Sequence, residues 1–454
     1  MIVMIKTLTE TYKNKLVVKI PMKLIENSFD TGCSRRIGRI KVGLSSWYVE
    51  FMPGTDDSTI EIPELLMKAI GLYDGFQCNA NLEDETLSLG PVVGVFTSKK
   101  LIRKAKKQAI TGKMVQYVQA NKIGKTILYF FSVDDFDFIN HKIYGTIFNE
   151  DLLKWERRLL PFPEILYDRG GSRAHKYRTV SRFIRKQFKM IDSLKSINPK
   201  FYFDKYDTYK QLAAYDEIQP YLPYTTKYKS PNDLKNMFKR SKVLYIKDRT
   251  GSNGKGVMRV EKKSKNHYQF STSKKKGRDN TFDSFIKFEK AVSSFFKSKD
   301  LIIQTAIDLI KVNNTIVDMR ATLQRNRYGE LEIIAYAVRV AKPDSPVTST
   351  VSGSNVYRFH DFFKKKMDWS DERIANYEKQ IDEFLITIYK HIEKAYGTFG
   401  EIGIDFAIDT KNRLWFIESN AKPAKTTVHK LKDSDTLLKA YLTPLEYAKY
   451  LAGF

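Results

Sequence analysis

Short apolar runs dominate the first ninety positions. LVVKIP (16–21), RIKVGL (39–44), WYVEF (47–51) and LSLGPVVGVF (87–96) are separated by turn residues and predict β-strands. Ile20-Pro21 followed by Leu24 recurs 42 residues later as Ile62-Pro63 followed by Leu65 and Leu66. Each step predicts a strand running into a short helix with proline at its start. They are either the halves of a duplicated unit or two unrelated strand–proline–helix steps. Beyond residue 90 the pattern alternates. GPVVGVFTS, KTILYFFSV (125–133) and PEILYDRG (163–170) predict strands, the segment from KKLIRKAKKQAI through Gln119 predicts helix, and such alternation predicts a parallel sheet. From 196 onward the pattern is α+β. Ile374, Tyr377, Ile381, Phe384, Leu385, Ile388 and Ile392 fall at helical spacing within 371–397, and Leu437 to Phe454 predicts a further helix.

These changes of pattern divide the chain into a β-rich region (1–90), an α/β region (91–195) and an α+β region (196–454). The full 454 residues exceed what one core serves, at about 100–200 residues per domain. Cys33 and Cys78 alone exclude a disulfide framework and a cysteine-rich zinc site. No signal-peptide pattern opens the chain and no apolar run reaches membrane-spanning length, so a cytoplasmic protein is expected. The charge is unusual: 78 Lys and Arg against 52 Asp and Glu leave +26. Such an excess points to a polyanionic partner, whether nucleic acid, nucleotide phosphates, an acidic polymer or a membrane surface. Residues 172–189 hold seven basic residues and no acidic one, and predict a basic helix. Residues 261–280 carry a net +5 with little periodicity and read as a hairpin or a loop.

Three segments can carry chemistry. VLYIK delivers Lys247 from a strand into the glycine-rich turn Gly251, Ser252, Asn253, Gly254, Lys255, Gly256, after which VMRVEK resumes. Glycines let backbone N–H groups approach phosphate oxygens, and a nearby lysine adds positive charge. The turn is neither a P-loop nor a dinucleotide fingerprint; on its own it is equally a tight hairpin. EIGIDFAIDTKNRLWFIESNAKP (401–423) reads as a strand pair turning at Thr410–Arg413. If Asp409 pairs with Leu414, Asp405 falls opposite Glu418, and period two puts Asn420 on the same face. Three oxygen donors in so apolar a hairpin suit Mg²⁺, unless they are edge carboxylates facing water. In VDMRATLQRN (317–326) Asp318, Arg320, Thr322 and Gln324 alternate with apolar residues, and Arg339 ends the next strand. Either arginine is suited to phosphate or carboxylate oxygens.

In this order, Lys205, Lys247 with its glycine turn, LIIQTAID, Asp318-x-Arg320 and Asp405…Glu418-x-Asn420 resemble an ATP-grasp domain, and most of 87–430 resembles the endospore-coat-associated, YheC/YheD-like group. The resemblance implies an ATP-grasp fold preceded by a Rossmann-like pre-ATP-grasp domain; separately, the two strand–proline–helix steps within 1–90, if they are halves of one unit, resemble a double-psi β-barrel. It implies that Lys205 and Lys247 contact nucleotide phosphates and that Gly251, Ser252, Asn253, Gly254 and Gly256 close over them. Gln304 would mark the adenine pocket and Asp308 the ribose. Asp405, Glu418 and Asn420 would hold Mg²⁺, and Arg320 and Arg339 would steady the γ-phosphate or acyl phosphate. The reaction implied is ATP-dependent activation of a carboxylate to an acyl phosphate for attack by an amine or another nucleophile, in a spore-associated protein; the basic charge, in turn, points to an acidic peptide, protein or amino acid as substrate. The chain departs from the pattern at Asp248, where proline is common, and at Ser349 and Ser354, where Asn and Gly are expected. The rival readings are a basic nucleic-acid-binding protein, an ATP-grasp kinase and a non-catalytic spore protein; no RRM or zinc-finger signature supports the first.

Overall fold

The computed structural model describes residues 1–454 apart from positions 11, 13–14, 27–35, 110–111, 171–176, 252–253, 255, 274–279 and 298. Two compact units result. One comprises Met1–Phe201, Arg325–Glu330 and Tyr441–Phe454; the other comprises Tyr202–Gln324 and Leu331–Ala440. The chain thus returns to the first unit at Tyr441, a crossing that helical periodicity does not disclose.

In the first unit, β1 (Ile2–Leu8), β2 (Val17–Ile20), β3 (Ile37–Val42), β4 (Ser45–Pro53), β5 (Thr59–Pro63), β6 (Phe76–Glu83) and β7 (Thr86–Gly90) pair in the order β1-β5-β2-β4-β3-β7-β6, and β6 returns to β1 to close the barrel. Short helices α1 (Met22–Glu26) and α2 (Glu64–Ile70) follow Pro21 and Pro63 as the pattern predicts. The apolar run 87–96 is divided at Pro91, which has no N–H to continue a ladder, and resumes as β8 (Val92–Phe96). A second sheet has the order β10-β11-β9-β8-β13-β14, built from β9 (Ile127–Phe131), β10 (Phe136–Asp137), β11 (Lys142–Asn149), β13 (Ile165–Asp168) and β14 (Lys195–Ser196), with β12 (Lys154–Pro161) on β11. Strands β9, β8, β13 and β14 are parallel, as expected, whereas β10 to β12 form an antiparallel extension. Helices α3 (Lys99–Lys106), α4 (Gly112–Gly124) and α5 (Arg178–Lys189) accompany the sheet. The helix expected through Gln119 is two, because α3 already ends at Lys106.

The second unit opens with α6 (Lys205–Leu212) and contains two antiparallel sheets. The first has the order β15-β20-β16-β17-β18-β19, formed by β15 (Thr225–Tyr228), β16 (Val243–Asp248), β17 (Val257–Lys262), β18 (Tyr268–Thr272), β19 (Asn280–Phe282) and β20 (Leu301–Thr305). Helices α7 (Pro231–Arg240) and α8 (Phe285–Phe296) cover one face, burying Leu234, Met237, Phe288 and Val292 against Leu244, Ile246, Val260 and Ile303. Segment 261–280 therefore contributes the ends of an antiparallel ribbon; its positions 274–279 lie outside the described residues.

The second sheet contains β22 (Thr315–Arg325), β23 (Leu331–Val340), β24 (Asn355–Arg358), β25 (Glu401–Ile408) and β26 (Leu414–Asn420) in the order β24-β23-β22-β25-β26, with β21 (Lys311–Val312) paired to β22. Between β24 and β25 run α9 (Phe359–Met367) and the long α10 (Asp371–Tyr396), which Ser370 caps at the first turn; α11 (Thr426–Lys430) and α12 (Ser434–Ala452) follow β26. The apolar stripe of α10, including Ile381, Phe384, Leu385 and Ile388, packs with Met319, Ile404 and Phe406 in one core. The other face of β22 is not half-exposed: Asp318, Thr322 and Gln324 are all buried. Such burial demands partners for every polar group. At one end Lys425 donates to Glu401 at 2.7 Å and Gln324 donates to the same carboxylate at 3.1 Å, with the Glu401 side chain wholly buried. Glu401→Gln removes the carboxylate charge that Lys425 faces and should cost about 3–5 kcal/mol in urea unfolding, whereas Glu401→Gln with Lys425→Met should recover most of that loss.

Candidate functional site

The site is built on the second unit from α6, the glycine turn and five strands, β16, β22, β23, β25 and β26. The β25–β26 hairpin carries the carboxylates. Asp405 does face Glu418, but the pairing near the turn differs from expectation: Leu414 pairs with Ile408, not Asp409, and a bulge between these levels restores the Asp405–Glu418 register. Asp409 instead organises the turn, accepting hydrogen bonds from the Lys411 and Arg413 backbones and from the Trp415 indole. A bulge leaves backbone groups without ladder partners. The Tyr209 hydroxyl meets this need, donating to the Ile417 carbonyl at 2.6 Å and lying 3.3 Å from that of Phe416. Tyr209 is one helical turn beyond Lys205 on α6, so one face of this helix serves both the bulge and the carboxylates. Lys205 Nζ lies 3.4 Å from Glu418 and donates to the Gly251 carbonyl at 2.5 Å.

Charged residues of β22, β23 and β25 form a continuous buried chain. Arg320 grips Asp405 with two N–H groups, Nη2 to Oδ2 at 2.7 Å. Arg339 grips Asp318 at 2.7 and 2.6 Å and reaches Asp405 at 3.1 Å. The Thr348 hydroxyl donates to Asp318. Burial alone would raise the pKa of Asp405, but the Arg320 and Arg339 guanidiniums hold it below the usual carboxylate range. For Asp318 burial prevails over Arg339 and its pKa is raised. Two arginines and two aspartates cancel in charge, and Lys205 faces Glu418. Lys247 is different: it makes no ion pair among the described residues, and desolvation lowers its pKa to about 8.

The glycine turn is set by close approach to Asp248. A Cβ on Gly251 or Gly256 would come within 2.9 or 2.7 Å of the Asp248 Cβ, so both positions require glycine. Asp248 accepts from the Thr250 N–H at 3.0 Å and from Lys299 at 2.5 Å; these bonds outweigh desolvation and lower its pKa. The residue that departs from the ATP-grasp pattern is thus the turn's anchor. Gly254 adopts φ +68°, with Val347 and Ser349 of the Ser/Thr-rich segment 3.0 and 3.4 Å from where its Cβ would be. Ser354 donates to the Ser349 carbonyl at 3.2 Å, tying that segment to itself. Ser252 and Asn253 lie outside the described residues.

Gln304 is buried in the middle of the first sheet and donates to the Thr225 hydroxyl at 2.8 Å. Asp308 is exposed and accepts from Thr410 at 2.8 Å. Among the described residues no hydrogen bond or ion pair joins either side chain to Lys247. Glu418, Asn420 and Asp405 offer only hard oxygen donors, and the Asn420 side-chain nitrogen is buried with no hydrogen-bond partner. This nitrogen is a donor without an acceptor, so the amide is not held in its present sense by the protein, and turned over it would offer its oxygen to a cation beside Glu418. Asp405 is engaged by arginines on both oxygens, so Glu418 and Asn420 are the freer donors. Tyr209 and Thr348 were absent from the residues expected here. The i,i+4 relation to Lys205 is a signal for the former, while no spacing joins Thr348 to Asp318.

Two antiparallel sheets with strand-borne lysine, glycine turn and carboxylate hairpin constitute an ATP-grasp fold of mixed helix and sheet. The chain belongs to the YheC/D like ATP-grasp family, which it matches over residues 193–451. It is similar to two proteins of Bacillus subtilis (strain 168). Endospore coat-associated protein YheD is 25% identical over 410 residues, covering 87% of this chain and 86% of that one. Endospore coat-associated protein YheC is 21% identical over 325 residues, covering 68% and 84%. Among solved structures, D-cycloserine synthetase DcsG matches with a TM-score of 0.48 at 10% identity, covering 79% of this chain and 100% of that one.

The depressed pKa of Lys247 has a measurable sign. The unfolded chain holds the Lys247 proton up to its ordinary pKa of 10.5, and the folded chain only to about 8. Holding that charge therefore costs stability at all pH below 8, and the cost falls as pH rises from 8 to 10.5. Lys247→Met should raise the melting temperature of the nucleotide-free protein at pH 7, with the gain shrinking across that window in a pH series of thermal melts.

Proposed function

We propose that this protein is an ATP- and Mg²⁺-dependent carboxylate–amine ligase. The observation that carries the reading is Lys247, which makes no ion pair among the described residues, beside an otherwise charge-balanced cluster of arginines and carboxylates. A half-buried ammonium without a counter-ion is a place for an anion, and the neighbouring glycine turn suits a phosphate. Lys205 and Lys247 would bind the nucleotide phosphates, with Gly251, Ser252, Asn253, Gly254 and Gly256 closing over them and Gln304 and Asp308 belonging to the nucleoside end. Bound Mg²⁺, held by Glu418 and Asn420 with Asp405, would neutralise phosphate charge.

Arg320 and Arg339 would orient the γ-phosphate and the carboxylate, held stiff by Asp405 and Asp318. A substrate carboxylate oxygen attacks the γ-phosphorus, the bond to ADP breaks, and an acyl phosphate forms. An amine then attacks the acyl carbon, phosphate departs, and the amine loses a proton to give the amide. Closure of the glycine turn against 347–349 would keep water from the acyl phosphate. The basic surface favours a substrate from an acidic peptide, protein or amino acid.

The closed seven-stranded sheet and its two strand–proline–helix steps support reading residues 1–90 as similar to a double-psi β-barrel. The parallel core of 91–195 supports a Rossmann-like pre-ATP-grasp domain, with 196–454 as the ATP-grasp domain. The names of the two Bacillus relatives favour spore association in a protein of cytoplasmic origin. ADP release measured against a panel of acidic peptides and amino acids tests the reading. One acceptor class should stimulate release, and Glu418→Gln should abolish it while leaving the fold intact. Undiminished release in Glu418→Gln would refute the assignment of the metal residues.

A further inference from the structure

Most of the +26 lies away from the site just described, and one surface of the first unit concentrates it. The exposed face of α5 presents Arg178, Arg182, Lys186 and Lys189 at successive turns, and no acidic residue occurs from 172 to 191. The fifth basic residue, Arg185, is already committed to Asp168 at 2.6 Å. At the helix start Lys99 of α3 sits 4.8 Å above the Tyr177 ring, which brings a second basic helix alongside. Arg103, Lys104 and Lys106 on that helix are exposed.

Apolar side chains project from the same surface. Val180, Phe183 and Met190 are 42, 53 and 68% exposed. Phe183 packs edge-on to Phe138, their centroids 6.1 Å apart, and Phe138 stacks on Phe136 at 5.2 Å. Phe138 leads directly to Ile139, the apex of the turn between β10 and β11, which is 92% exposed. That turn is pre-organised: Asp137 accepts from the Ile139 and Asn140 backbones and from the Asn140 side chain at 2.8–3.1 Å. An isoleucine is thus held out into solvent at the end of an aromatic ladder rooted in the core, beside a helix with a basic face.

We infer that this surface docks the protein onto an anionic lipid bilayer. Lysines and arginines answer lipid phosphates, and the amphipathic arrangement of basic and apolar groups matches the boundary between headgroups and acyl chains. The apolar groups stand out into solvent, Ile139 most of all at 92% exposed, which favours insertion into lipid over the binding of an acidic polypeptide or a nucleic acid strand. No helix among the described residues is long and apolar enough to span a membrane, so the attachment is peripheral. The inference is independent of the nucleotide site.

Flotation of the full chain with vesicles tests it, using phosphatidylcholine alone and phosphatidylcholine mixed with phosphatidylglycerol. The protein should float only with the mixed vesicles. Ile139→Asp, and separately Arg182→Glu with Lys186→Glu, should each weaken that binding roughly tenfold or more, with melting temperature unchanged. Ile139 is nearly free of packing, so its substitution leaves folding untouched. Absence from the mixed-vesicle fraction would overturn the inference, as would equal flotation of both variants. So would tighter binding to polyglutamate or to duplex RNA that depends on Arg182 and Lys186 and ignores Ile139.

Discussion

The buried charge chain Asp318–Arg339–Asp405–Arg320 governs the second unit. It joins β22, β23 and β25 through side chains as well as through the ladder, on a face that the alternation of β22 would otherwise give to water. Four charges survive burial because each guanidinium makes two-pronged contact with a carboxylate and the sum is zero. Loss of one partner would leave an uncompensated charge among buried strands, so the four residues stand or fall together. The same rigidity fixes where Glu418 and Asn420 present their oxygens on the edge strand, and Tyr209 secures the bulge that keeps those oxygens in register with Asp405.

Against this neutral lattice Lys247 is the exception. Among the described residues this ammonium makes no ion pair, and burial lowers its pKa although the Glu418, Asp405 and Asp318 carboxylates act to raise it. On the proposed reading, Lys247 is a place for a nucleotide phosphate. Asp248, the local departure from the ATP-grasp pattern, holds the glycine turn through Thr250 and Lys299. Gly251 and Gly256 are thereby tied to this anchor by contact distance as well as by conformational freedom.

Strand alternation was enough to locate β22, β25 and β26 and to set Asp405 opposite Glu418. It could not disclose the bulge, because a single inserted residue shifts the register near the turn and leaves the far pairing intact. The order of Lys205, Lys247, Asp318-x-Arg320 and Asp405…Glu418-x-Asn420 was legible because each lies within a short, regular segment. The engagement of Arg320 and Arg339 by aspartates, and of Asp318 by Thr348, was not legible, since it depends on strands brought together across long stretches of chain. The N-terminal strand β1 and the extension β10–β12 are not among the expected strands, although Asp137 with Asn140 and Asn149 with Asp151 mark the turns of the extension.

Thermal melts of the intact chain with ATP, Mg²⁺, both and neither bear most directly on the nucleotide site. At ligand concentrations a hundredfold above Kd, ATP with Mg²⁺ should raise the midpoint by about 5–10 °C. Either component alone should do much less. A midpoint unmoved by ATP and Mg²⁺ together would contradict nucleotide binding by Lys205, Lys247 and the carboxylate hairpin.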